Sequence, residues 1–146
     1  MADPASTSIV IPAFGEGSAI ASVVAALRRA APWTDRRRAI AASYRRQLAN
    51  PAVPVPPELD AGHVYHLFPV VCARREALQA HLTAAGIETL IHYPVPIPRQ
   101  PALVSSEPGE CPTADRICAQ VLSLPLYPSL PDEAVSLVAS AVASFQ

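Results

Sequence analysis

The stretch Val64-Tyr65-His66-Leu67-Phe68-Pro69-Val70-Val71-Cys72 decides the fold class, because its β-branched and aromatic side chains read as a strand. Pro69 offers no backbone donor, so this strand belongs at a sheet edge or carries a bulge. Immediately downstream, Leu78 and Leu82 recur at helical spacing over Arg75–Ala85, and Gly86 suits the left-handed position that closes a helix. Ile87–Ile91 reads as a second strand. A strand, a helix and a strand in so short a span imply a sheet packed on helices.

The flanks extend that unit. His92–Pro101 (HYPVPIPRQP) is punctuated by proline and is expected as a stiff, extended loop. A helix over Thr113–Leu122, with Ile117 and Val121 on one face, leads into an extended Ser123–Pro128 (SLPLYP). Asp132–Phe145 reads as a helix with Pro131 at its start and Val135, Val138, Val142 and Phe145 along its inner face. Upstream, Pro32 interrupts the pattern, and a helix beginning near Thr34 or Asp35, with an acidic first turn, carries Ile40, Tyr44 and Leu48 on its buried stripe. Asn50–Pro57 (NPAVPVPP) is an extended, polyproline-like connection. At the amino-terminal side, Ser8–Phe14 reads as a short strand, Gly15–Ser18 as a turn, and Ala19–Ala31 as a helix bearing Ile20, Val23, Val24 and Leu27. The order suits an α+β domain in which a short β-sheet is flanked by helices.

Composition narrows the chemistry. All 11 basic side chains among the 146 residues are arginine, and there is no lysine. Arginine stays protonated, whereas lysine can be tuned into a nucleophile or a base, so lysine-dependent chemistry is excluded from these residues. A net charge of −1, 5% aromatic residues and only short arginine runs (Arg28–Arg29 and Arg36–Arg38) argue against nucleic-acid binding; such runs read as solvated helix faces. No apolar run approaches the ~20 residues that span a bilayer, and Met1-Ala2-Asp3-Pro4 does not open a signal peptide. Three cysteines in irregular positions suit a reducing compartment, so a soluble, cytoplasmic protein is expected.

Few motifs carry chemistry. Gly15-Glu16-Gly17 lacks the further glycines of a dinucleotide fingerprint and the lysine of a phosphate loop. His63, His66, Cys72, Cys111 and Cys118 have no zinc-like spacing, and on an extended strand His63 and His66 would face opposite ways, so no metal is expected. His92-Tyr93-Pro94 stands apart, because Pro94, Pro96 and Pro98 make a rigid platform for the imidazole and the phenol. Two readings are open: a ligand or subunit contact, or a histidine that merely ends a strand.

Several segments, in order, resemble one family. They are Trp33-Thr34-Asp35-Arg36-Arg37-Arg38, Tyr44-Arg45, His63-Val64-Tyr65-His66-Leu67-Phe68, Ala85-Gly86-Ile87, Ile91-His92-Tyr93-Pro94-Val95-Pro96, Gln100-Pro101 and Ser123-Leu124-Pro125-Leu126-Tyr127-Pro128. From Trp33 to Gln146 the chain is similar to the carboxy-terminal domain of DegT/StrS-type sugar aminotransferases, pyridoxal-phosphate enzymes that install amino groups on nucleotide-linked deoxysugars. The resemblance implies the small domain of a fold-type I aminotransferase, beside an active site at a homodimer interface. It places His92 and Tyr93 near the substrate or the neighbouring subunit. One departure stands in this loop: Pro98 occupies a position that is usually histidine in the family.

The resemblance also implies that the cofactor lysine, the pyridinium-binding aspartate and the phosphate-binding residues belong to a large domain ahead of Trp33. Residues 1–32 are too few to form it, and they resemble instead the start of a family-two glycosyltransferase through Ile9-Val10-Ile11-Pro12-Ala13-Phe14 and Glu16. Two segments, 1–32 and 33–146, are thus expected. These residues would hold no cofactor covalently and would not catalyse alone. The expected partners are a second copy or a separate large-domain subunit; a nucleotide sugar is the alternative ligand.

Overall fold

The computed structural model describes residues 20–25, 31–103 and 109–146. The chain divides into two compact units, Met1–Trp33 and Thr34–Gln146. Within the first, residues 20–25 are helical, and Ile20, Val23 and Val24 are exposed. The expected strand at Ser8–Phe14 and turn at Gly15–Ser18 lie outside the described residues.

Helix α1 covers Ala31–Gln47. It starts earlier than the sequence pattern suggests, because Pro32 falls in the first turn, where a helix has no use for the missing N–H. The early start leaves no acidic residue in that turn. Ile40 and Tyr44 are buried as expected, together with Ala41. Arg36, Arg37, Arg38 and Arg45 do not simply face solvent, although Arg46 is exposed, and the Arg28–Arg29 run lies outside the described residues. Arg37 Nε donates to the Val64 carbonyl at 2.9 Å, and Arg38 Nε to that of His63 at 3.0 Å. Arg45 Nη1 donates to the Pro56 carbonyl at 2.9 Å. Arg36 reaches the Leu130 carbonyl at 2.6 Å and the Asp132 carboxylate at 2.9 Å.

These bonds explain where the first strand begins. Strand β1 is only Phe68–Val71, not Val64–Cys72. The carbonyls of His63 and Val64 are occupied by arginine side chains instead of a ladder, and Tyr65 takes a left-handed φ of 49° that no strand tolerates. Helix α2, Arg75–Ala84, ends as the sequence indicates. Gly86 has φ 76°, its N–H bonds the Thr83 carbonyl at 2.9 Å, and the Ile87 N–H bonds that of Leu82 at 2.9 Å. That pair is a Schellman closure, with Ile87 and Leu82 both buried.

Helix α3 covers Pro112–Gln120 and hands directly to strand β2, Val121–Leu124. The sequence pattern continues the helix through Leu122, but Val121 has ψ 137° and opens the strand. β2 pairs antiparallel with β1 in the register Phe68↔Leu124 to Val71↔Val121. On its other side it meets the Ile87–Ile91 segment through a single bridge, Leu90↔Ser123. Pro69 lies on the outer edge of β1, where Val71 N–H is taken by the Pro54 carbonyl at 3.1 Å. Helix α4, Asp132–Ser144, then lays Val135, Val138 and Val142 on the core. Tyr44, Phe68, Val70, Leu78, Leu82 and Leu122 complete that core.

Candidate functional site

A cavity of about 530 Å³ opens beside β2, between the Gly86–His92 segment and the start of α4. Leu90, Leu126, Leu130, Leu137 and Val138 make its walls largely apolar, while His66, Glu88, Thr89, His92, Ser123 and Tyr127 are the polar residues of its lining. The backbone fixes this arrangement. Ser123 N–H donates to the Leu90 carbonyl at 2.7 Å, and Leu90 N–H returns to that of Ser123 at 3.3 Å. Leu90 lies opposite Ser123 in this bridge, and His92, two residues on, reaches the same serine. His92 Nδ1 and Ser123 Oγ lie 3.0 Å apart. Ser123 is 5% exposed, whereas His92 is half-buried.

Tyr93 does not enter the cavity wall. It is 69% exposed, and its ring meets that of His92 edge-on at 5.6 Å; the peptide bond between them is cis. The structure therefore brings one of the two sequence-nominated residues to the cavity and leaves the other on the surface. Beyond them, Pro98 lies in a short 3₁₀ turn, Ile97–Arg99, anchored to α3 by Arg99 and Asp115 at 3.5 Å. Leu90, Tyr93, Val95 and Ile97 form an exposed, largely apolar arm. Thr89 Oγ1 is buried at the cavity's inner end with no hydrogen-bond partner among the described residues.

Two tyrosines away from this cavity serve the fold. The Tyr65 phenol donates to Glu58 and receives Arg45 Nε at 3.3 Å, which knots the 56–65 loop onto α1. Burial, then the bond to Glu58, raises the Tyr65 pKa against the opposing pull of Arg45. Tyr44 donates to the Pro125 carbonyl at 2.8 Å, and burial, with a smaller contribution from Tyr127, pushes its pKa well above the usual phenol range. Both folded values exceed the unfolded one, so the stabilisation is complete below about pH 10 and is lost as pH rises through the folded pKa. The urea midpoint should thus be flat in this respect at neutral pH and fall above about pH 10. In Tyr44→Phe that alkaline fall should shrink, with about 1 kcal/mol lost at neutral pH for the missing bond. An alkaline limb unchanged in the variant would refute the assignment.

His63 borders the Arg45–Tyr65 knot and His66 the main cavity, so they diverge, although from a loop and not from a strand. Among the described residues no cluster of three or more His, Cys, Asp or Glu could hold a metal, and Cys72, Cys111 and Cys118 are free thiols. Sequence reasoning missed Ser123. Only its place in Ser-Leu-Pro-Leu-Tyr-Pro marked it, and buried on a strand with all four residues inside, it gives no periodic signal.

Comparison with known proteins gives the family. Residues 18–143 match the model of the DegT/DnrJ/EryC1/StrS aminotransferase family. The chain is 40% identical over 116 residues to the erythromycin biosynthesis sensory transduction protein EryC1 of Saccharopolyspora erythraea, covering 77% of this chain and 32% of that protein. It is 45% identical over 102 residues to the dTDP-3-amino-3,4,6-trideoxy-alpha-D-glucose transaminase of Streptomyces venezuelae, covering 67% of this chain and 27% of the relative. The solved structure of S. venezuelae DesV in complex with a ketimine intermediate superposes with a TM-score of 0.72 at 42% identity, over 76% of this chain and 31% of that one. The chain thus spans about a third or less of its relatives' length. Matched over most of its residues, it belongs to the DegT/DnrJ/EryC1/StrS aminotransferase family.

Proposed function

We propose that these residues form the small-domain side of a nucleotide-sugar aminotransferase, with His92 and Tyr93 at a contact with substrate or with the neighbouring subunit. The family match, whose span of residues 18–143 includes both the His92 loop and the Ser123 strand, is the observation that carries this reading. The family depends on pyridoxal phosphate, and the related NtdA of Bacillus subtilis has been solved with the cofactor's amine form bound. The residues here do not fit that cofactor covalently. All 11 basic side chains are arginines, and a guanidinium cannot give up its proton to become the required nucleophile. The lysine therefore comes from polypeptide outside these residues.

The chain incubated with pyridoxal phosphate, reduced with borohydride and desalted should carry no cofactor adduct on a side chain. An adduct on any side chain would overturn the reading. Mixed with a lysine-bearing large-domain polypeptide of the family, it should support transamination of a dTDP-linked keto sugar that neither component performs alone. Transamination by this chain unaided would equally sink it.

Three finer readings accompany this one. The exposed arm at Leu90, Tyr93, Val95 and Ile97 supports self-association or docking of a separate large-domain subunit. The three free thiols support a cytoplasmic setting. A division near Trp33, with a glycosyltransferase-like start at Ile9 to Glu16, predicts UDP-sugar binding that is lost on deleting residues 1–17. No binding by the full chain would remove it.

A further inference from the structure

We infer that Ser123 is a positioning residue: its hydroxyl donates to His92 Nδ1 and fixes the imidazole tautomer that offers Nε2–H to an acceptor oxygen in the cavity. The inference rests on the reading of His92 as a substrate contact and adds which atom makes the contact and what sets its proton.

Ser123 Oγ and His92 Nδ1 are 3.0 Å apart, a distance that both directions of the bond would satisfy. Burial separates them. Ser123 is 5% exposed, and among the described residues its hydroxyl has no partner but His92. Among the described residues no carbonyl accepts from that hydroxyl, and those of Ser123 and Leu90 accept each other's backbone N–H. Were Nδ1–H to donate to Oγ, the serine would bury its own hydrogen with no acceptor. A buried donor left unmade is the costly state, so the hydroxyl donates and Nδ1 accepts. The neutral ring then carries its proton on Nε2.

That nitrogen has no hydrogen-bond partner among the described residues, and His92 lines a cavity whose walls are mainly apolar, with Glu88 among its polar residues. A fixed N–H donor in such a wall recognises an acceptor: a phosphate, hydroxyl or keto oxygen of a nucleotide-linked sugar. A free ring would present donor and acceptor edges in turn and lose part of that discrimination. Ser123 is well placed to hold it, because its backbone is tied to Leu90 by both its N–H and its carbonyl.

The test is ¹⁵N NMR of the full chain with labelled histidine at about pH 8.5, above the ordinary histidine range. Loss of one of the 4 histidine signal sets in His92→Gln assigns the ring. Wild-type His92 should show a pyridine-type Nδ1 and a pyrrole-type Nε2, without averaging. Averaged shifts, or a pyrrole-type Nδ1, would overturn the proposal before any change is made at Ser123. In Ser123→Ala the two resonances should move towards one another, and Ser123→Thr, which keeps the hydroxyl, should restore them. A purely structural serine would leave both resonances in place in Ser123→Ala, and that result would also overturn the proposal. Added dTDP-glucose should shift Nε2 in the wild type and in Ser123→Thr, and less in Ser123→Ala. If the tautomer is fixed but dTDP-glucose moves nothing, the positioning role stands, and the reading of His92 as a substrate contact falls.

Discussion

Replacing Phe68 with alanine is expected to cost about 3–5 kcal/mol, the range for deleting a fully buried aromatic ring. Phe68 is 1% exposed and sits between the sheet and α1. Its ring lies 5.0 Å from that of Tyr44 and 6.3 Å from that of Tyr65, with the Arg45 guanidinium 5.8 Å from its centroid. Truncation leaves a void among rings that are themselves hydrogen-bonded, Tyr44 to Pro125 and Tyr65 to Glu58, so they cannot swing in to fill it. Domains of this size are stable by only about 5–15 kcal/mol, so the variant should lose much of its urea resistance. Phe68→Leu refills part of the volume and should cost much less, about 1.5 kcal/mol. A midpoint for Phe68→Ala within error of Phe68→Leu would show that the ring cluster does not hold the two elements together.

Asn50→Ala should cost about 2–3 kcal/mol, because one amide serves two backbone acceptors and each such bond is worth about 1 kcal/mol. Asn50 Nδ2 donates to the carbonyls of Val142 and Phe145, both at 2.8 Å, at the carboxy-terminal end of α4. Its Oδ1 accepts from Ala52 N–H at 2.9 Å, which turns the chain after α1. His81 Nε2 reaches the Ala141 carbonyl at 2.9 Å from α2, so three elements meet at this helix end. Asn50→Asp separates geometry from charge. The carboxylate keeps the bond to Ala52 but brings negative charge, with no donor, to the negative end of a helix. It should therefore be less stable than Asn50→Ala in urea at neutral pH. The reverse order would show that the bonds to α4 contribute little.

The parts of this fold that could be read in the sequence are those fixed by local chemistry. Gly86 was recognisable because a left-handed residue after Leu78 and Leu82 has one ready explanation, and α4 because Pro131 opens it and its valines recur on one face. The errors fall where distant side chains overrule the local preference. Val64–Leu67 has strand composition, yet Arg37 and Arg38, 27 and 25 residues earlier, claim its carbonyl and that of His63. Val121–Leu124 was hidden for the opposite reason. All four residues are buried, so no alternation betrays a strand. The site divides in the same way. His92 was legible from its proline-bound loop, but the serine that meets it is 31 residues away, and pattern alone could not join them.

The outer edge of β1 has one more consequence. Along this edge, residues 69 and 71 turn their backbone nitrogens away from β2, since Cys72 N–H donates towards that strand at Gln120 and Val71 N–H towards Pro54. The first of these nitrogens belongs to proline and carries no hydrogen; the second is already bonded. A foreign strand arriving at this edge finds no backbone N–H at residues 69 and 71 to meet its carbonyls, so strand addition there is disfavoured.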